Sequence, residues 1–101
     1  MPAFIIADID VTDPEGFEAY RRLVAPTIAE AGGVYRVRGG AIEVLEGEYR
    51  PKRLVILEFP SMAAARAWYE SEAYAPVKSI RLKTALTNAL LVEGLQGPPQ
   101  A

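Results

Sequence analysis

The segment Arg53-Leu54-Val55-Ile56-Leu57-Glu58-Phe59 limits the fold of this chain more than any other. Read as a strand, it places Val55, Leu57 and Phe59 on one face and Leu54 and Ile56 on the other. A sheet with one wet face alternates apolar and polar residues. This strand does not, so both of its faces need cover. Helices can supply one layer. The other face must be met by something else, and a self-complementary contact with a second copy is the simplest solution.

The rest of the chain supplies the helices. Phe4 to Val11 reads as a strand, rich in β-branched residues. Thr12-Asp13-Pro14-Glu15 then signals a helix start: an oxygen cap, a proline suited to the first turn and an acid at the positive helix end. Phe17, Tyr20, Val24 and Ile28 repeat at helical spacing, and the helix is expected to run to about Ala31. Pro26 removes an internal hydrogen bond and predicts a kink, and Gly32-Gly33 stops the helix. Val34 to Arg38 forms a second strand. Beyond Gly39-Gly40, the segment Ala41 to Glu46 either continues that strand or pairs back as a hairpin. Gly47 to Lys52 is a turn. After Pro60, Ser61 caps a helix from Met62 to about Glu70. Ser71 to Pro76 breaks the pattern, helix resumes from Val77 to about Ala85, and Thr87 to Glu93 is the last strand. The β-α-β-β-α-β order predicts an α+β fold, with a four-stranded antiparallel sheet and helices on one face. Residues 1–95 are expected to form one domain and residues 96–101, with Pro98-Pro99, a flexible tail.

Composition narrows the chemistry. The 101 residues include no Cys and no His. This excludes disulfides and thiolate nucleophiles, and removes the commonest general base and metal ligand. Acid–base work falls to Asp, Glu, Tyr and Lys. With 11 basic and 13 acidic residues the net charge is −2, which offers no general attraction to nucleic acid. Met1-Pro2-Ala3-Phe4 does not resemble a signal peptide, and no apolar run is long enough to span a bilayer. A cytoplasmic location is the default expectation, with no membrane partner.

Asp13-Pro14-Glu15, Tyr20, Gly32-Gly33, Arg38-Gly39-Gly40, Glu46-Gly47, Pro51, Arg53, Glu58-Phe59-Pro60-Ser61, Trp68, Ser71, Tyr74 and Arg81 occur in this order over nearly the whole chain. The set resembles a bacterial family called domain of unknown function 1330. Arg-Gly-Gly followed by Glu-Phe-Pro-Ser is its most specific part. The resemblance implies a ferredoxin-like protomer of the dimeric α/β-barrel superfamily, in which two sheets from two chains close one barrel. That superfamily includes cofactor-free monooxygenases, haem-degrading enzymes, chlorite dismutase-like proteins and stress-responsive proteins. The absence of His argues against a haem role, and no cofactor or metal is expected.

Several residues are candidates for a site. Arg38 beside Gly39 and Gly40 combines a two-pronged cation with backbone that a ligand can approach closely. The plainer reading is a turn with a surface Arg. Glu58 shares a strand face with Leu54 and Ile56, where desolvation would raise its pKa and suit it to acid–base work. The plainer reading is an ion pair with Arg38, Arg53 or Arg81. Tyr20, Trp68, Tyr69 and Tyr74 can line a cavity for a flat ligand, or simply pack the core. Asp8, Asp10 and Asp13 fall short of a full oxygen shell for a cation. The expectation is that Glu58, Arg38 and Tyr20 are catalytic and that Gly39, Gly40, Arg53, Trp68, Tyr74 and Arg81 hold a small anionic or aromatic ligand. The reading this supports is a cofactor-free oxygenase or isomerase-type enzyme; a non-catalytic binding or stress-response dimer is the alternative.

Overall fold

The computed structural model describes residues 1–95. The expected tail, 96–101, lies outside the described residues. The elements run β1 (Ala3–Val11), α1 (Pro14–Glu30), β2 (Val34–Arg38), β3 (Leu54–Phe59), α2 (Met62–Tyr69), α3 (Ala75–Thr84) and β4 (Ala85–Glu93). They form the ferredoxin-like α+β fold, with β-α-β-β-α-β order and the second helical position split between α2 and α3. The sheet is antiparallel, in the order β2-β3-β1-β4.

Local chemistry explains most boundaries. The Asp13 carboxylate accepts from the Gly16 N–H at 3.2 Å and caps α1, with Pro14 in its first turn. The helix continues through Pro26 to Glu30, and Gly32 takes the left-handed conformation (φ 83°) just past its end. The Ser61 hydroxyl caps α2 through the Ala64 N–H at 3.0 Å. Between α2 and α3, Ser71 accepts from the Tyr74 N–H at 3.1 Å and donates to the Trp68 carbonyl at 2.8 Å.

Three expectations need correction. Helix α3 starts at Ala75, two residues before Val77, because Pro76 sits in its first turn, where no N–H is needed. Strand β4 starts at Ala85, directly where α3 ends, with no loop between them. Ala41 to Glu46 neither extends β2 nor forms a hairpin. Strand β3 pairs directly with β2, and residues 39–53 form an irregular arm, exposed throughout 40–50.

Register assigns the two sheet faces. Ile5 lies opposite Leu57 and Leu91, and Tyr35 lies opposite Leu57. These residues face the helices and join the core with Phe17, Val24, Ile28, Phe59 and Trp68. On the other face, Ile6 lies between Ile56 and Leu90, and Phe4 lies between Glu58 and Val92. A bulge between Tyr35 and Val37 shifts the β2 register, so that Tyr35 and Arg38 both sit on the helix side.

Candidate functional site

A cavity opens between the sheet and the helices. Tyr35 and Arg38 come from β2, Arg53 from the residue before β3, and Thr87 from β4. Phe17, Tyr20 and Arg21 of α1, Trp68 and Tyr69 of α2, Tyr74 and Arg81 complete its polar and aromatic lining. The centre of a water molecule can move through about 60 Å³ of it. One bound water needs roughly 10–15 Å³ on that measure, so there is room for a small organic molecule.

No carboxylate lines the cavity. Arg21, at the rim, has Glu18 beside it at 3.4 Å. Among the described residues no acid comes within ion-pair distance of Arg38, Arg53 or Arg81. Arg81 is only 6% exposed. Its Nε donates to the Tyr74 hydroxyl at 3.4 Å, and that hydroxyl lies 2.9 Å from the Tyr20 hydroxyl. A desolvated cation without a counterion is unfavourable by several kcal/mol (about that order), so its net presence needs a partner. Arg53 is half-buried and also has no acid beside it among the described residues. Burial, then the charges of Arg21 and Arg38, lower its guanidinium pKa. Its Nε is buried without a hydrogen-bond partner, as is the Thr87 Oγ1.

The aromatic wall is closely packed and hydrogen-bonded. Trp68 stacks on Tyr74 with centroids 4.1 Å apart, and its Nε1 donates to the Thr27 hydroxyl at 3.0 Å. The Arg38 guanidinium lies 4.4 Å from the Tyr35 ring centroid. Burial, chiefly, raises the Tyr20 phenol far above its ordinary range; the Tyr74 neighbour adds to this. Tyr20 is therefore a donor at any physiological pH.

The cavity brings together Tyr20, Arg38, Arg53, Trp68, Tyr74 and Arg81. Three other candidates lie elsewhere. Glu58 points to the opposite face of the sheet, where its carboxylate accepts from Arg36 Nε at 2.9 Å. Strand parity places it there. The close approach at Gly39 (φ 70°) is made by Arg53: a Cβ at this position would collide with that guanidinium. Gly40 has nothing within 4 Å of where a Cβ would stand and does not line the cavity. Asp8 is engaged by the arm, accepting from the Tyr49 hydroxyl at 2.6 Å and the Lys52 N–H at 3.1 Å. Arg21, Tyr35 and Thr87 also line the cavity and do not stand out in the sequence. The bulge that turns Tyr35 and Arg38 to one side is invisible in period-two reading. Thr87 reads from sequence as an ordinary strand threonine.

The model for the domain of unknown function 1330 matches residues 2–95. The chain belongs to this family. Its fold is shared by a protein of unknown function from Rhodopseudomonas palustris (TM-score 0.75, 19% identity, covering 95% of this chain and 84% of that one). HapK from Hahella chejuensis is similar as well (TM-score 0.64, 19% identity, 98% of each chain). So is SnoaB, a cofactor-independent oxygenase from Streptomyces nogalater (TM-score 0.60, 16% identity, 98% of each chain). At these identities the likeness is one of fold. No functionally curated protein matches the sequence.

Proposed function

We propose that this protein binds a small anionic, aromatic molecule in the cavity between sheet and helices. The observation that carries this reading is the charge balance of the lining: Arg38, Arg53 and Arg81 face a space with no acid on it. An anion restores the balance, and guanidinium groups bind planar carboxylates with paired donors. Trp68, Tyr74 and Tyr35 supply flat apolar walls. Differential scanning fluorimetry with aromatic carboxylates and phenols tests it. Binding at 100 times Kd stabilises by about 2.7 kcal/mol. Arg53→Ala should abolish the shift and Glu58→Gln should preserve it. A panel that leaves the melting temperature unmoved would sink the proposal.

A second reading, favoured by the donors in the cavity and by the shared fold with SnoaB, is a cofactor-free oxygenase acting on the same ligand. Cations and phenol donors stabilise an oxyanion, the electron-rich form of a phenol or enol. The balanced reaction turns a CH₂ group and dioxygen into a carbonyl and water, with all four electrons that reduce the dioxygen drawn from the substrate. Oxygen uptake that depends on Arg81 and Tyr20 supports it; ligand binding without uptake leaves a binding protein.

The unit that does this is proposed to be a homodimer. Phe4, Ile6, Leu54 and Ile56 share the helix-free sheet face with Leu86 and Leu90, which are each 68% exposed. An apolar sheet face of this kind is covered in stable proteins, and a two-fold axis lets one patch cover itself.

A further inference from the structure

Two separate groups of polar side chains line the cavity, and they differ in kind. The first is on the sheet. Ile9 pairs with Thr87 on one side, and its N–H donates to the Arg53 carbonyl at 2.9 Å on the other. Arg53 and Thr87 thus flank Ile9 in one cross-strand row on the helix side. Arg53 Nε and Thr87 Oγ1 are both buried and both lack a protein partner. Buried polar atoms of native proteins are almost always satisfied, so two such atoms in one row point to an absent acceptor. Arg38 adds a second guanidinium to this end.

The second group is on the helices. The Tyr74 hydroxyl, in a residue 1% exposed, meets both Arg81 Nε and the Tyr20 hydroxyl. A phenol has one proton to donate. Accepting from the Arg81 cation makes the Tyr74 hydroxyl the stronger donor of the two, so the chain runs from Arg81 to Tyr74 to Tyr20. It leaves the Tyr20 proton, which has no acceptor among the described residues, free for whatever occupies the cavity. The two groups are electrostatically distinct. Arg53 responds to Arg21, Arg38 and Tyr35, whereas Arg81 responds to Tyr74, Tyr20 and Tyr69.

We infer that the ligand is two-ended: an aromatic ring with a carboxylate for Arg53, Thr87 and Arg38, and a hydroxyl or carbonyl oxygen opposite it for Tyr20. This rests on the proposed anion site and assigns its substrate class, a hydroxylated aromatic carboxylate. Titration calorimetry on the full chain tests it with benzoate, phenol, 4-hydroxybenzoate and methyl 4-hydroxybenzoate. The expected result is that 4-hydroxybenzoate binds at least tenfold more tightly than benzoate or phenol, and that its methyl ester falls to the level of phenol. Arg53→Met should erase the carboxylate advantage and leave phenol binding unchanged. Tyr20→Phe should bring 4-hydroxybenzoate down to benzoate. The unaltered protein repeats that comparison without touching the fold: 4-fluorobenzoate, which offers no oxygen, should bind only as benzoate does, and 4-methoxybenzoate, whose ether oxygen still accepts, should bind more tightly. Benzoate binding as tightly as 4-hydroxybenzoate would overturn the two-ended ligand while leaving the anion site standing. No binding by either carboxylate would overturn both.

Discussion

Gly39 and Arg53 act as a unit. The left-handed backbone at Gly39 leaves room for the Arg53 guanidinium, and its N–H donates to the Leu54 carbonyl at 2.8 Å. Gly39→Ala should destabilise the protein by about 1–2 kcal/mol from backbone strain alone and displace Arg53 from the cavity. Urea denaturation measures the first effect and loss of carboxylate binding the second. Tyr20 makes a prediction about pH. Its phenol is raised above the ordinary 10.0, mainly by burial. The unfolded chain therefore ionises this group before the folded chain does. The neutral form contributes stability that is complete below about pH 10 and is lost as pH rises past it. Melting temperature should fall above pH 10, and less steeply in Tyr20→Phe. Binding between pH 6 and 9 should follow the ionisation of the ligand alone.

The elements carry different parts of the site. Helix α2 and the turn after it hold the aromatic wall, so Trp68→Ala removes a stacked, hydrogen-bonded side chain from the core. A cost of about 3–5 kcal/mol is expected in denaturant titration. Strand β3 separates the two sides of the sheet by parity. Glu58 pairs with Arg36 on the outer side, and the pair is partly exposed. Glu58→Gln should change stability by less than about 1 kcal/mol and leave ligand affinity unaltered. If that substitution abolished binding, the cavity would be the wrong site.

On the scale of the whole molecule, charge is distributed unevenly. The chain has a net charge of −2, yet its cavity is lined by four arginines and no acid. The acids lie elsewhere: Asp8 anchors the arm and Glu58 sits on the outer sheet face. Light scattering at micromolar concentration should give the mass of a dimer, and Leu90→Glu should yield a folded monomer by placing a charge on the apolar patch. A monomeric parent protein would remove the self-complementary interface from consideration.

Periodicity and local signals alone determined the element order, the cap at Asp13, the stripe Phe17-Tyr20-Val24-Ile28 and the two-sided character of β3. These depend on neighbours in sequence, through 3.6- and 2-residue repeats and terminal hydrogen bonds. Six of the nine candidate site residues also converge, because strand ends and helix faces carry them to one cavity. Tertiary structure alone decided the rest. Packing decided which parity of β3 faces the helices, and so put Glu58 on the outer face, and the bulge turned Tyr35 and Arg38 inward together. Packing gave the space at Gly39 to Arg53, and left Arg53 and Thr87 with buried, unmatched polar atoms. Each of these depends on which strand lies beside which, and on what fills the gap between layers far apart in sequence. The doubly apolar strand required cover on both sides from the outset. The fold supplies helices to one side and leaves Ile6, Ile56 and Leu90 without a helix layer on the other, the face proposed to meet a second copy.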